Sequence, residues 1–433
     1  MANTFGLNTA AELINGTAGA DTIYGGTTTN ATGTGNDTIN GLAAADTLFG
    51  LDGNDSLFGG SENDTVYGGD GNDSIGGDAN NDSLFGGIGN DSVSGGSEND
   101  VLHGDSGNDS LYGGTRLDSL FGGTGVDLLF GDDNDDFLFG GSGGDVGAGG
   151  FGNDALYGDV PADGSAVGSS DTLSGDDGTD RLYGGIDNDV LYGGIGTDRL
   201  YGGSHTDRLF GDSEDDRLFG GAGSDSGYGG AGNDYLTGGA DGDVLFGSNE
   251  NDVVLGGGGA DLLRGDAGID RLFGGLGDDT FTLGDVADTD VIGGGGVDRV
   301  VFDTGNNTLG SGRYVVDLID LGQGNDVFQL ANLAGTGTTL GLPTIVDGST
   351  AFEVVGAANG DGVGNGVRNA GDVNGDGFDD FILGSAVSDV DGANAGAAWV
   401  VFGKASGFAS SPAMGWVPRS RVRATSMATA STI

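Results

Sequence analysis

Asp55-Ser-Leu57-Phe58-Gly59-Gly60-Ser-Glu62-Asn-Asp64-Thr-Val66-Tyr67-Gly-Gly69-Asp70-Gly71-Asn72-Asp73 is one frame read twice. An aspartate recurs every nine residues inside Gly-Gly-x-Gly-x-Asp-x-U-x, where U is apolar. The column runs through Asp37, Asp46, Asp55, Asp64, Asp73, Asp82, Asp91, Asp100, Asp109, Asp118, Asp127, Asp136, Asp145 and Asp154. After one insertion it resumes at Asp171, Asp180, Asp189, Asp198, Asp207, Asp216, Asp225, Asp234, Asp243, Asp252, Asp261, Asp270 and Asp279. A fixed period this short is the mark of a solenoid. Position U lies two residues after each aspartate and is Ile39, Leu48, Leu57, Val66 and so on to Phe281, broken only at Gly147 and Gly227. One inward apolar residue between two outward ones predicts a three-residue strand. The six residues before it read as a turn in which glycine permits positive φ. No repeat can bury its one leucine by itself, whereas stacked repeats bury a continuous column.

The turns carry the chemistry. Aspartate supplies carboxylate oxygens, and glycine turns expose backbone carbonyls. Oxygen donors without His or Cys select Ca²⁺ over zinc or copper. The frame resembles the repeats-in-toxin (RTX) family signature, with 27 aspartates in phase. That resemblance implies an all-β fold, a parallel β-roll solenoid with two nonapeptides per coil. It also implies many Ca²⁺ ions held between turns of successive coils on one edge, so that Asp55 shares an ion with Asp73 and not with Asp64. The sequence itself supports an eighteen-residue coil. Two residues before each aspartate stand Gly35, Ala44, Gly53, Glu62, Gly71, Asn80, Gly89, Glu98, Gly107, Arg116, Gly125, Asn134 and Gly143. Glycine alternates with non-glycine until Gly152. The two edges therefore differ, and better-formed calcium turns are expected on the glycine edge, at Asp55, Asp73, Asp91, Asp109 and Asp127. Duplication of an eighteen-residue unit without functional meaning is the other reading.

The residue after U is often aromatic: Phe58, Tyr67, Phe85, Tyr112, Phe121, Tyr183, Tyr201, Phe219. These are expected to form cross-strand ladders on the outer face, in preference to a sugar-binding stripe. In the second half the residue after the aspartate is often arginine, as in Arg181, Arg199, Arg208, Arg217 and Arg271. Arg181, Arg199 and Arg217 should line one sheet face at successive coils, and charge relief against neighbouring acids is the favoured reading. His103 and His205 occupy ordinary repeat positions with no catalytic partner in sight.

Composition sets further bounds. The 433 residues include 99 Gly and 4 Pro, and 67 acids against 14 bases give a net charge of −53. Such a surface argues against nucleic acid and against anionic membranes. High acidity of this kind normally predicts disorder unless a counter-ion is present. One ion between each pair of stacked turns gives roughly 23 ions, enough to cancel about 46 of the negative charges. Folding and metal binding then become one reaction. A chain unfolded in low-calcium cytosol and folded outside is what the RTX resemblance implies for type I secretion. Cysteine is absent, which extracellular and cytosolic proteins both allow. The N-terminus lacks the basic and apolar regions of a signal peptide, and no apolar run reaches membrane-span length.

Residues 1–36 read as a lead-in with one repeat, 37–158 as the first roll block, 159–170 as an insertion that bulges from a continuous roll, and 171–280 as the second block. Residues 281–350 read as wider, irregular β coils that cap the apolar end. Residues 351–410 change type. Gly371-Asp372-Val-Asn374-Gly-Asp376-Gly377-Phe378-Asp379-Asp380 alternates like the start of an EF-hand loop. Yet Leu383 stands where the EF-hand glutamate belongs, and a strand is expected to follow. The segment resembles an FG-GAP repeat, the calcium-loop blade of integrin-alpha-type β-propellers, and Gly396-Ala-Ala-Trp399-Val-Val-Phe402-Gly403 fits that pattern too. The resemblance implies ligands at Asp372, Asn374, Asp376, the carbonyl of Phe378, and Asp380. One blade cannot close a ring, so the segment is a partial one. Residues 411–433 turn basic, with Arg419, Arg421 and Arg423. Back-translated with suitable synonymous codons and read one base earlier, Ala424–Ile433 yields the same ten residues as Gly371–Asp380. The tail is therefore expected to be an out-of-frame reading of the next blade.

The function expected from all this is non-enzymatic: a secreted, calcium-loaded structural or adhesive surface protein. Its partners are calcium ions and an extracellular matrix, glycans or a cell surface. The alternative is the calcium-binding tail of a larger secreted hydrolase, protease or epimerase. Against it, the chain has no His-Glu-x-x-His and no Cys nucleophile. A surface calcium buffer or ice-facing repeat is a third reading, whose ice-facing form the aromatic and arginine columns discourage.

Overall fold

The computed structural model describes residues 3–5, 13–16, 22–24, 35–159, 168–283, 290–296 and 298–303, and further strands between 313 and 410. The chain forms two compact units, Met1–Ser226 and Gly227–Ile433.

In the first unit each nonapeptide contributes one strand, such as Thr47–Asp52, Ser56–Ser61, Thr65–Asp70 and Ser74–Ala79. Each of these strands pairs in parallel with the one eighteen residues on and not with its sequence neighbour. Leu48 lies opposite Val66, and Leu57 opposite Ile75. Two nonapeptides therefore make one coil, and two parallel sheets result. The inward column is apolar: Ile39, Leu48, Leu57 and Val66 are completely buried. At Gly147 the missing side chain leaves no step in the ladder. Leu138, Leu156 and Leu173 close in around it, their methyls 3.2–3.9 Å from where a Cβ would stand.

The strands are six residues long, not three. The two glycines expected in the turn belong to the ladder instead. Pairing runs through three residues, skips one, and continues, as in Ser92, Val93 and Ser94 opposite Ser110, Leu111 and Tyr112, then Gly96 opposite Gly114. The chain bends at the second glycine, where φ is +110° at Gly96 and +111° at Gly114. The corner is thus turned without leaving the sheet. The insertion leaves both sheets in register: Gly147 lies opposite Leu173, and Leu156 opposite Leu182.

In the second unit the same parallel stacking holds from Tyr235–Ala240 through Val253–Gly258 to Arg271–Leu276. Coils then lengthen. Asp290 pairs with Leu318, which pairs with Thr344. Arg299 pairs with Val327, and Asn325 with Ala351. A separate antiparallel sheet follows in the order Val363–Gly371, Asp380–Ser385, Ala397–Phe402, Ala409–Ser410. Among the described residues no helix is long and apolar enough to cross a membrane.

Candidate metal centre

Two residues per nonapeptide adopt positive φ, the second glycine of the frame and the residue two before the aspartate. The latter explains the alternation seen in the first block. On one edge φ is +135° at Gly53, +137° at Gly71 and +145° at Gly89, a region open only to glycine. On the other edge it is +77° at Glu62, +77° at Asn80 and +74° at Glu98, the left-handed helical region that asparagine and acids enter more readily. Two turn conformations separate the edges. The aspartates themselves are set alike on both.

Each column aspartate is 0–3 % exposed. Asp73 shows the arrangement. Its backbone N–H donates to Oδ1 of Asp91 at 2.7 Å, and its carbonyl accepts from the N–H of Ser92 at 2.9 Å. Its own Oδ1 accepts from the N–H of Asp55 at 2.7 Å. On the other edge Asp64 donates to Asp82, and Asp82 to Asp100, both at 2.7 Å. Across the insertion Asp145 still reaches Asp171 at 2.7 Å, and Asp154 reaches Asp180 at 2.6 Å. Every aspartate thus stacks on the one a coil away, Asp55 on Asp73 and not on Asp64. Asparagines just before them form a parallel ladder: Asn72 donates to Asn54, and Asn90 to Asn72, at 2.9 Å each.

Only one carboxylate oxygen is used in this way. In Asp55, Asp64, Asp73, Asp82, Asp91, Asp100, Asp109 and Asp118 the second oxygen, Oδ2, is sealed from solvent with no hydrogen-bond partner among the described residues. An orphan carboxylate oxygen of this kind is costly. Burial pushes Asp73 up to about 6, Asp55 to about 7 and Asp82 to about 8; the backbone N–H offsets part of this, and neighbouring carboxylates add to it.

The first glycine of each frame makes the space these oxygens face. A Cβ at Gly113 would lie 2.7 Å from Oδ2 of Asp118 and 2.8 Å from the carbonyl oxygen of Gly131. Its φ is ordinary, so this glycine is needed for room and not for conformation. The nearest polar atoms there are carboxylate and carbonyl oxygens. Among the described residues no cluster of three or more acid or histidine side chains forms a cage. A hard cation such as Ca²⁺ fits this donor set when backbone carbonyls complete it.

One column member escaped the nine-residue count. Asp298 is fully buried, and its Oδ1 accepts from the N–H of Asp279 at 2.9 Å. The coil between them holds one extra residue, which hid Asp298 from a strict period; the glycine run Gly293–Gly296 was its signal. The proposed ligands Asp372, Asn374, Asp376 and Phe378 lie outside the described residues. Asp380 opens the strand Asp380–Ser385, its backbone paired with Gly371. His103 is sandwiched between Phe85 and Phe121 at 4.8 and 4.7 Å, and burial lowers its pKa. His205 accepts the N–H of Asp187 at Nδ1.

A family model described as the RTX calcium-binding nonapeptide repeat, in four copies, matches residues 8–28, 31–66, 49–84, 58–93, 85–115, 112–147, 166–200, 201–236, 219–254, 228–263, 237–272, 255–290 and 291–309. No curated protein matches the chain. The matches cover more than half of the sequence and coincide with the stacked aspartate turns, so the chain belongs to the RTX calcium-binding repeat family.

Proposed function

We propose that this is a secreted structural or adhesive surface protein whose rolls fold on binding many Ca²⁺ ions. The observation that carries the reading is the buried aspartate column, in which Asp55, Asp64, Asp73, Asp82, Asp91, Asp100, Asp109 and Asp118 leave Oδ2 without a hydrogen-bond partner among the described residues. Each site takes its oxygens from a column aspartate, Asp37 through Asp154 or Asp171 through Asp279, and from backbone carbonyls of adjoining turns, with Asp298 added. A calcium ion bound there supplies positive charge to carboxylates that otherwise repel one another. Type I-like secretion accords with folding that waits for external calcium. The test is hydrodynamic: the chain should contract sharply from chelator to millimolar calcium and stay expanded in magnesium. Equal radii in all three conditions would end the proposal.

We further read Val363–Ser410 as one FG-GAP-like blade. A four-stranded antiparallel order and the pairing of Gly371 with Asp380 around the acidic loop favour it. Asp372, Asn374, Asp376, the Phe378 carbonyl and Asp380 are its proposed ligands. Terbium luminescence sensitised by Trp399 checks this: Asp376→Ala should abolish the Trp399-excited signal, and an unchanged signal would refute the loop. Residues 411–433 are read as an out-of-frame continuation, which resequencing of the locus decides.

A further inference from the structure

Arg181 stands directly opposite Arg199, and Arg199 opposite Arg217, on one sheet of the first unit. Like charges placed so are destabilising, and neighbouring acids were the expected relief. Elsewhere the chain uses that relief: Arg116 reaches Glu98 at 3.9 Å, and Arg264 pairs with Asp266. Arg208 instead lies over the ring of Phe210 at 5.9 Å. Arg181, Arg199 and Arg217 make no ion pair among the described residues. Arg181 and Arg217 are exposed and Arg199 is half-buried. Two residues along each strand, Tyr157, Tyr183, Tyr201 and Phe219 stack ring on ring at 4.7–4.8 Å. Both Arg181 and Arg199 act on the Tyr183 hydroxyl electrostatically.

We propose that this arginine and tyrosine strip binds an extended acidic polysaccharide laid along the stacking direction of the coils. The proposal deepens the adhesive reading above by naming the partner's chemistry. A guanidinium fork matches a carboxylate with two parallel hydrogen bonds. Three forks repeating at about 4.8 Å call for a repeated anion and not a single one. One carboxylate per sugar ring in an extended chain supplies that repeat. The tyrosine rings lie within 3–6° of parallel, so their faces cover one another and only edges and hydroxyls face outward. A neutral glycan, which seeks an open ring face, finds none. In a chain of net charge −53 the strip is a local reversal of sign, and calcium loading lowers the surrounding repulsion.

The test uses the full chain loaded with calcium at fixed free ion. A short oligogalacturonate and a cello-oligosaccharide of equal length are titrated calorimetrically against the native chain and Arg181→Ser/Arg199→Ser/Arg217→Ser. Serine is what the frame carries at Ser83 and Ser119 of the same sheet. The native chain should bind the acidic oligomer alone, and more weakly as salt rises. The triple variant should bind it at least about tenfold more weakly, with its calcium-dependent circular dichroism unchanged. A triple lysine variant, which keeps charge and packing, should fall between, and serves if the serine variant does not fold. Equal oligogalacturonate binding by all variants would mean calcium bridging and overturn the proposal. So would equal binding of the neutral oligomer, or a change in sedimentation in place of a change in binding, which would mark a second copy of the chain as the partner.

Discussion

Asp73 holds two jobs on one carboxylate. Oδ1 fastens the turn of Asp55, and Oδ2 is left without a partner in a buried space. Asparagine at this position keeps the acceptor, removes the charge and turns the orphan oxygen into a donor. Asp73→Asn should therefore raise the calcium concentration at the folding midpoint and lower the bound ion count, while making the metal-free chain easier to fold. Calcium titration followed by circular dichroism reads both effects. Gly113 separates room from conformation. Gly113→Ala places a methyl between Asp118 and the Gly131 carbonyl, and should lose calcium locally with little change at distant sites. Gly71→Ala forces a φ of +137° on alanine and also drives its Cβ into the Gly53 carbonyl oxygen, so it should cost at least about 1–3 kcal/mol, whereas Asn80→Ala on the other edge should cost about 1 kcal/mol. Thermal melts in saturating calcium distinguish them. This difference explains why glycine alternates along the first block, a pattern visible in the residues but not interpretable until the two values of φ were known.

At the scale of the sheet, the aspartate column sets the pH response. Burial raises Asp64 and Asp73 to about 6, Asp91 and Asp118 to about 7, and Asp136 and Asp189 to about 8. A folded-state pKa above the unfolded value means that protonation favours the fold. In chelator the roll is thus most stable below about pH 4 and loses that stability as pH rises through 6 to 8. Far-UV circular dichroism in chelator should show β structure at pH 4 and none at pH 8.5. Calcium binding displaces those protons, so apparent calcium affinity should rise across the same interval. The outer ladder is the sheet's second support. Phe49, Tyr67, Phe85, His103, Phe121 and Phe139 stack in one unbroken row, at 4.7–5.2 Å. On the opposite sheet Gly76 and Ser94 interrupt the row between Phe58 and Tyr112. Phe121→Ala should cost about 1–3 kcal/mol in calcium-loaded stability, because it removes two ring contacts. Tyr112→Ala, with a ring on one side only, should cost about half as much. The nine-residue period made the stacking partners legible, since U and the residue after it must recur on each coil. The length of the strands was not legible, because glycine pairs read as turns wherever sterics are judged without the hydrogen-bonding coil beside them.

For the whole chain, the sequence marked where the aspartate turns stand but not how the carboxylates are divided between two tasks. That division depends on which backbone N–H lies one coil away, and a linear reading has no access to it. Asp298, in a stretch that still reads as repeat-like, was left out of the column for a related reason: one added residue breaks a count but not a stack. The central claim is that a chain of net charge −53 closes around its aspartate columns only when calcium satisfies them. Far-UV circular dichroism of the full chain at neutral to mildly alkaline pH, titrated with calcium from a chelated start, tests it most directly. A cooperative change from coil to β structure on adding Ca²⁺, absent with Mg²⁺, is the predicted result. A spectrum already rich in β structure in chelator at pH 8.5 would contradict it, and would mean that the leucine column and the aromatic ladder hold the roll without metal.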